Sequence, residues 1–455
     1  MIHINKKHYL SLITIVLFTI FTTLLLIPNN NDLVKTNKLT ATVIKSDQEK
    51  ITVQDKNDII YTFSVEKATY EAGDKLILEY TGLLNKNKEQ QVNKLVSIKP
   101  VSQDEEGLKT YPLDGLFSQF NILASNKLKE MSLDEKIGQL LLVKYPENDF
   151  EEAINKYKVG GFVFFEDDFE NKSVKEVQQM LSNVQSHSKI PLLTAVDEEG
   201  GEIVRVSSNE QLAAEPFKSS NQLYNEGGFT LIKKDTINKS LLLEELGLNV
   251  NLAPVVDVST SPSDFMYKRT IGYDTEITSE YAKTVIEANK KTGVSYVLKH
   301  FPGYANNPGT HEGQIIDNRK YEEIAKRDLP PFEAGINSAA EAILVSHITT
   351  TSIDKNNPAS LSASVHNLLR NNLGFTGIIM TDNLETGATT NIKDAPLKAL
   401  LAGNDIIMMT NYKEGFNIIK KAVIDGTISE EFIDNAVHRI IAWKFYKGLM
   451  YEKTK

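Results

Sequence analysis

The residues best suited to catalysis in this sequence are carboxylates, imidazoles and a lysine that follow directly after short apolar runs. They are Asp197, Asp257, Lys299, His300, His347 and Asp382. Carboxylates and imidazoles often donate and accept protons in enzymes, and a carboxylate can also attack an electron-poor carbon. Side chains that only fill a core would be scattered between both ends of the runs. Their shared position therefore predicts one active site built from the ends of several strands.

The apolar runs that precede these residues alternate with amphipathic stretches from about residue 116 onward, which is typical of repeated β/α units. The eight runs are "LLLVKY", "GGFVFF", "PLLTAVD", "NVNLAPVVDV", "SYVLKHF", "AILVSHI", "GIIMTD" and "DIIMMTN". They predict an α/β fold of the (β/α)8 TIM-barrel type, whose active sites lie at the C-terminal ends of the strands. Two helix limits also follow. Gly403 should end the helix "LKALLAG", and Thr427 with Glu430 should form a capping box for the last helix.

The N-terminal segment, residues 1–30, has the pattern of a membrane anchor. Lys6 and Lys7 precede an apolar run over residues 9–27, which is about the length that a helix needs to cross a bilayer. No small-x-small cleavage site follows the run, so we expect an uncleaved transmembrane signal anchor. The protein would then be a single-pass protein of the cell membrane with its catalytic domain outside the cytoplasm. If the segment is cleaved, the protein would be secreted.

Between the anchor and the barrel, residues 38–100 contain short β-branched runs such as "TATVIK" and "KITVQD", separated by Asp, Asn, Lys and Gly turns. This pattern predicts a small all-β module, resembling an OB-type barrel. Residues 101–115 are polar with prolines near both ends and are predicted to be a linker. The barrel would occupy residues 116–455. We expect the β module to act as a spacer, although an OB fold could also bind an oligosaccharide.

Composition and charge exclude several classes of partner. The net charge of −10 argues against a nucleic-acid partner, because phosphate binding requires a concentrated basic face. A neutral ligand is easier to accommodate. The sequence contains no cysteine, so thiolate nucleophiles, disulfides and cysteine zinc sites are excluded. There is also no HExxH or EF-hand pattern, so neither a metal nor a cofactor is implied. We expect a monomer.

Five segments of the barrel region resemble a known enzyme family. "VDEEGGEIVRVS", "NLAPVVDV", "KRTIGYD", "KHFPGYANNPGTH" and "MTDNLETGA" stand in the order found in glycoside hydrolase family 3. The sequence is most similar to the bacterial single-domain β-N-acetylhexosaminidase (β-N-acetylglucosaminidase) branch, over roughly residues 116–450. Many members of the family have a second domain that supplies the catalytic acid. Because this sequence ends with the eighth helix, the resemblance implies that the acid comes from the barrel.

The resemblance implies a role for individual residues in retaining hydrolysis, which requires an attacking carboxylate and a proton donor. Asp382 matches the nucleophile, and His311 matches the histidine that this branch uses as general acid and base. The residues implied to bind the sugar are Asp197, Arg205, Arg269, Lys299 and His300. Asp257 and His347 are expected to support these residues rather than to contact the sugar.

Two departures from the family pattern lie near His311. The aspartate that orients this histidine in the branch is replaced by Gly309, and Ala305 stands where a glycine is usual. Loss of an orienting carboxylate can cost up to about 10⁴ in rate, unless another acidic side chain such as Glu312 replaces it.

Three functions therefore remain open. The first is hydrolysis of terminal β-N-acetylglucosamine from peptidoglycan-derived or related glycans. The second is a β-N-acetylglucosaminide phosphorylase or transglycosylase with the same nucleophile, since a neutral histidine would not repel an anionic acceptor such as phosphate. The third is a catalytically degenerate barrel that binds glycans, as the departures near His311 would allow.

Overall fold

The structure is a computed structural model of the 455-residue chain. It describes residues 36–46, 49–55, 60–65, 70, 75–81, 95–100, 113–304 and 313–450. The predicted anchor, residues 1–30, lies outside these residues, and so does most of the predicted linker. No helix in the described ranges is long and apolar enough to span a bilayer. The chain divides into two units, Met1–Glu106 and Gly107–Lys455, and the domain limits given above remain predictions.

The first unit contains a five-stranded antiparallel sheet in the order β3-β2-β1-β4-β5. Its strands are β1 Thr36–Ser46, β2 Lys50–Asp55, β3 Ile60–Ser64, β4 Lys75–Thr81 and β5 Leu95–Pro100. Alternate side chains such as Ile51, Val53 and Phe63 are fully buried, as expected for strands with one face toward a core. Among the described residues, no pairing of β3 with β5 closes the sheet, and the OB-like barrel remains a prediction.

The second unit is built on eight parallel strands, which confirms the predicted (β/α)8 barrel. These are β6 Leu141–Lys144, β7 Gly161–Phe164, β8 Leu193–Val196, β9 Val250–Asn251, β10 Ser295–Phe301, β12 Ala342–Val345, β14 Ile378–Thr381 and β15 Ile407–Met409. Their order is β14-β12-β10-β9-β8-β7-β6-β15. A single bridge between Met380 and Ile406 connects the two end strands, so the barrel is nearly closed.

Two further strands, β11 Ile316–Asp317 and β13 Thr349–Thr350, pair in parallel outside the barrel. The short barrel strand β9 differs from the ten-residue run that predicts it. Backbone hydrogen bonds to β10 continue beyond Asn251, because the carbonyls of Ala253 and Pro254 accept the N–H groups of Val297 and Lys299, but Pro254 has no N–H group of its own to donate. Val255 forms only an isolated bridge with Lys299.

Twelve α-helices lie in the described part of this unit. They are α1 Asn121–Lys129, α2 Leu133–Gln139, α3 Phe150–Asn155, α4 Val174–Ser186, α5 Ser220–Leu246, α6 Thr275–Asn289, α7 Tyr321–Arg327, α8 Leu329–Asn337, α9 Ala363–Asn367, α10 Ala395–Ala402, α11 Tyr412–Ile424 and α12 Glu430–Tyr446. Ser132, Ser173 and Ser219 begin α2, α4 and α5, because each hydroxyl accepts a backbone N–H of the first turn.

The two predicted helix limits have different outcomes. Gly403 ends α10 in the left-handed conformation, at φ 115°, which confirms that prediction. The predicted capping box of Thr427 and Glu430 is wrong. Asp425 accepts both the N–H and the hydroxyl of Thr427, so Thr427 belongs to the preceding turn, and Ser429 caps α12 instead.

Candidate active site

The barrel brings most of the predicted site residues to the same end. Asp197 directly follows β8, Lys299 and His300 lie in the last three residues of β10, and Asp382 directly follows β14. In a parallel barrel the C-terminal ends of all strands lie on one face. These four residues therefore lie on the C-terminal face of the barrel, as their positions after the apolar runs predicted.

A chain of alternating charges connects strands β8 and β10. The Lys299 Nζ atom lies 2.5 Å from Asp197 Oδ1 and 2.7 Å from Glu199 Oε1. Arg269, at the end of the short 3₁₀ helix Tyr267–Arg269, donates from Nη2 and Nε to the two oxygens of Glu199, at 2.6 Å and 3.0 Å. Lys299 is only 2% exposed. These two cations and two carboxylates therefore balance each other within the barrel.

Glu199 is a site residue that the sequence analysis missed. Its burial raises the pKa of the carboxyl group, but the charges and hydrogen bonds of Lys299 and Arg269 oppose this and lower the pKa to about 2. Burial conversely lowers the pKa of Lys299, while Asp197 and Glu199 raise it above its usual value. Each partner therefore keeps the other ionised. The only signal in the sequence was a third carboxylate in the segment "DEEGG".

Glu198 was also missed, and it shapes the loop between Glu199 and Arg205. Its fully buried carboxylate accepts the backbone N–H groups of Arg205 and Val206, each at 2.7 Å, and the hydroxyl of Ser207. The Glu198 backbone is in turn bound by the side-chain amide of Asn251 in β9. The end of β8 is thus tied both to the next strand and to the loop that carries Arg205.

Asp257 holds His300 in place. The Nδ1 atom and the backbone N–H of His300 both lie within hydrogen-bond distance of Asp257 Oδ2, at 2.8 Å and 3.1 Å. The other carboxylate oxygen accepts the backbone N–H of Tyr304 at 2.7 Å. Asp257 is 1% exposed. A carboxylate at Nδ1 fixes the orientation of the imidazole and favours the proton on that nitrogen.

Asp382 lies in an environment that favours its ionised form. The carboxylate accepts the backbone N–H of Asn383 at 2.8 Å. Burial raises the pKa of Asp382, but His347, His300, the Asn383 N–H and Lys299 together lower it below its usual value. An ionised carboxylate is the form that can attack carbon.

His347 fixes the backbone beside Asp382. It is fully buried, with Nε2 at 2.8 Å from the carbonyl oxygen of Asn383 and Nδ1 at 2.7 Å from the hydroxyl of Ser360. Since a carbonyl can only accept, Nε2 carries the proton and Nδ1 accepts from Ser360 when the ring is neutral. His347 therefore supports the strand end that carries Asp382.

The remaining predicted residues are placed differently. Arg205 pairs with Glu166 at 3.8 Å, and its backbone N–H is bound by Glu198. His311 lies outside the described residues, as do Gly309, Ala305 and Glu312. Within the described ranges, no group of His, Asp and Glu residues is arranged to hold a metal ion.

The geometry suits a ligand that is rich in hydroxyl groups. Asp197 accepts hydrogen bonds, Lys299 and Arg269 donate them, and charge-assisted bonds are about twice as strong as neutral ones. An ionised carboxylate, Asp382, belongs to the same face and is influenced by the charges of Lys299 and His300. A (β/α)8 barrel with these groups on one face is chemically suited to binding a polyol-like ligand beside a carboxylate.

Comparison with known proteins identifies the family. The model described as "Glycosyl hydrolase family 3 N terminal domain" matches residues 132–443. The chain belongs to glycosyl hydrolase family 3 and is a glycoside hydrolase, as the sequence resemblance implied. The protein named beta-hexosaminidase LpqI from Mycobacterium tuberculosis is 27% identical over an alignment of 331 residues, and the match covers 69% of this chain and 83% of that protein.

Solved structures agree with this assignment. A family 3 β-N-acetylglucosaminidase from Paenibacillus sp. str. FPU-7 is 25% identical with a TM-score of 0.66. The match covers 71% of this chain but only 64% of the Paenibacillus chain. The structure of M. tuberculosis LpqI has a TM-score of 0.63 at 25% identity. The match covers 70% of this chain and 95% of the LpqI chain.

Proposed function

We propose that the protein is a retaining β-N-acetylhexosaminidase that removes terminal β-linked N-acetylglucosamine from peptidoglycan-derived or related glycans. The observation that carries this proposal is the position of Asp382 directly after β14, on the same barrel face as the charged groups Asp197, Glu199 and Lys299. Preference for an N-acetylated sugar is supported by the names of the relatives, beta-hexosaminidase and β-N-acetylglucosaminidase.

In this proposal the reaction has two steps. The Asp382 carboxylate attacks the anomeric carbon as the bond to the departing oxygen breaks, and His311 gives that oxygen a proton. His311 then takes a proton from water, whose oxygen attacks the same carbon and releases Asp382. Asp197, Lys299 and Arg269 bind the hydroxyls of the sugar during both steps. Two inversions at one carbon return the β configuration.

The proposal is tested by hydrolysis of a chromogenic β-N-acetylglucosaminide by the purified protein and by Asp382→Ala and His311→Ala variants. We expect Asp382→Ala to lose turnover by at least about 10⁴-fold and His311→Ala to be strongly reduced. Asp149→Ala is a suitable control, because this side chain is 62% exposed at the start of α3. It should retain full activity.

Added azide separates the two roles. If Asp382 is the nucleophile, azide replaces it in Asp382→Ala and yields the α-glycosyl azide. If His311 is the acid and base, azide replaces water in the second step of His311→Ala and yields the β-glycosyl azide. The same azide product from both variants would contradict the assignment.

Two alternatives give different results in the same assay. A phosphorylase would release a sugar 1-phosphate in the presence of phosphate, whereas a hydrolase releases the free sugar under both conditions. A degenerate barrel would bind the sugar saturably without turnover. Either result in the wild-type protein would overturn the proposed hydrolase.

We also propose that residues 1–30 anchor the protein in the cell membrane with the barrel outside the cytoplasm. The support is the apolar run over residues 9–27 after Lys6 and Lys7. In fractionated cells the full chain should sediment with membranes, and a chain that begins at residue 31 should not. Recovery of both chains in the soluble fraction would overturn the proposed anchor.

A further inference from the structure

An aromatic side chain at the edge of the candidate site is exposed without an evident structural reason. Phe265 lies in the segment between β9 and the 3₁₀ helix Tyr267–Arg269, and it is 48% exposed. Single exposed apolar residues are common on protein surfaces, and Ile122, Leu241 and Ile424 are examples on the outer helices. Phe265 differs from these because it belongs to a row of rings that leads to the site.

The row begins at His300, on the same face of the barrel as the candidate nucleophile Asp382. His300, one of the groups that lowers the pKa of Asp382, packs edge-on against Tyr304 with ring centroids 5.2 Å apart. Tyr304 in turn lies against Phe265, with centroids 6.5 Å apart. His300 and Tyr304 are 5% and 3% exposed. The row therefore passes from the buried site to solvent, and Phe265 is its exposed end.

The position of Phe265 is fixed by its neighbours. Before it in the chain, the Ser259 hydroxyl donates to the carboxylate of Asp264 at 2.9 Å. After it, Met266 is fully buried in a small cluster with Val255 and Tyr304. The Met266 carbonyl also accepts the backbone N–H of Arg269, a residue of the charged chain. A ring held in this way can contact a ligand with little loss of conformational entropy.

We infer that Phe265 packs against the first sugar of the leaving group. This inference rests on the proposed function, in which the enzyme removes one terminal sugar. That sugar occupies the buried charged site, so any further unit of the substrate must lie outside it, on the leaving-group side. Sugar rings present apolar C–H faces, and burial of such a face against an aromatic ring is favourable. Phe265 would thus make the enzyme prefer substrates whose leaving group is a sugar over substrates with a small leaving group.

Two substrates test this role: N-acetylglucosaminyl β-fluoride, whose leaving atom cannot reach Phe265, and N,N′-diacetylchitobiose. In Phe265→Ala we expect kcat/KM for the disaccharide to fall about tenfold, as is typical for loss of one aromatic contact. The value for the fluoride should not change. Phe265→Trp should retain cleavage of the disaccharide, and Leu241→Ala, which removes an exposed apolar side chain from α5, should behave as wild type with both.

The possible failures can be distinguished. If Phe265→Ala lowers kcat/KM for both substrates equally, or for neither, Phe265 does not contact the leaving group and the inference is wrong while the proposed function stands. If the wild-type protein cleaves neither substrate, the proposed function is wrong and the inference fails with it. An unchanged melting temperature of Phe265→Ala confirms that the fold is intact.

Discussion

Lys299 and Arg269 carry positive charge into a part of the barrel from which water is largely excluded. A buried cation without a counter-charge is very costly, so the carboxylates of Asp197 and Glu199 must remain ionised for the site to persist. Glu199 contacts both cations, whereas Asp197 contacts Lys299 alone. We therefore assign Glu199 to charge balance and positioning, and Asp197 to direct contact with the substrate.

Glu199→Gln tests this assignment. The pKa of Glu199 is about 2 in the folded protein against an ordinary 4.5, so its ionisation contributes roughly 3 kcal/mol of stability above pH 4.5. That contribution is lost as the pH falls from 4.5 toward 2. The difference in unfolding free energy between wild type and Glu199→Gln should therefore be large at pH 7 and shrink below pH 4.5, as denaturant titrations at several pH values would measure.

The matched control for this prediction is Glu202→Gln in the same loop. Glu202 pairs with Lys268 at the surface, where both side chains are more than half exposed. Exposed ion pairs contribute about 0–1 kcal/mol, so this variant should differ little from wild type at any pH. An equal loss in both variants, or a loss for Glu199→Gln that does not depend on pH, would contradict the charge-balance role.

At the scale of elements, helix α5, which is kinked at Gly228, supports the turn that follows β8. The Nζ atom of Lys239, on α5, donates to the carbonyl oxygen of Glu199 at 3.0 Å and pairs with Asp235 at 3.2 Å. Lys239 is 5% exposed and lies over the ring of Phe217. Helix α5, which lies outside the barrel, therefore fixes the backbone of Glu199, a residue that lies beyond the end of β8.

In Lys239→Met the turn at Glu199 should lose this support. We expect kcat/KM to fall about tenfold, mainly through a higher KM, because one charge-assisted bond that positions the sugar-binding residues is lost. Lys239→Arg should restore part of the activity. Lys233→Met, an exposed lysine on the same helix, should have no effect.

Stability and positioning can be separated with a second variant. Lys239→Met leaves the carboxylate of Asp235 buried without its partner, which should lower the melting temperature. Lys239→Met combined with Asp235→Asn removes that charge and should recover part of the stability without recovering KM. If KM recovers together with the melting temperature, Lys239 acts only through stability.

The strands of the barrel could be predicted because each is a short apolar run buried on both faces, and the polar residue after each run marks its C-terminal end. The distances between those residues could not be predicted. "DEEGG" contains three carboxylates, and the sequence does not indicate which of them faces Lys299. The roles of Glu198 and Glu199 depend on contacts with residues from 7 to 100 positions away, which only the folded chain brings together.

At the scale of the whole molecule, the described site residues all belong to the second unit, Gly107–Lys455, and the first unit has its own hydrophobic core. The two ends of the barrel have different roles. The C-terminal face carries the candidate site, while residues at the N-terminal face contribute to stability. Buried charge occurs at both ends, and at the N-terminal end carboxylates also balance part of it, since Asp405 pairs with Arg370 and Arg439.

Lys444, on the last helix α12, is a buried cation at the opposite end of the barrel. It is fully buried, and its Nζ atom donates to Gln139 Oε1 at 2.6 Å and to the carbonyl of Gly160 at 3.0 Å. Both acceptors lie just before β6 and β7. Because burial is not offset by a carboxylate, it lowers the pKa of Lys444 from 10.5 to about 7. The folded protein therefore releases a proton from Lys444 more readily than the unfolded chain does.

This difference predicts how stability depends on pH. Between pH 7 and 10.5 the unfolded chain binds more protons at this lysine, so the folded state gains stability as the pH rises, by an amount on the order of 4 kcal/mol over the whole interval. Below pH 7 both states are protonated and the penalty is complete. Lys444→Met removes the titration, so the unfolding free energy of wild type minus that of the variant should rise between pH 7 and 10.

Denaturant titrations at pH 7, 8, 9 and 10 would measure this difference, with Lys398→Met, an exposed lysine on α10, as the control that should give a flat line. The sign of the difference at one pH is not decisive, because methionine also leaves Gln139 Oε1 without a donor, at a cost of about 1–3 kcal/mol, while the Gly160 carbonyl still accepts the N–H of Leu193. The slope is decisive, since the loss at Gln139 does not titrate in this range. If the difference in unfolding free energy between wild type and Lys444→Met does not change with pH, the two uncharged acceptors suffice to keep the buried ammonium protonated.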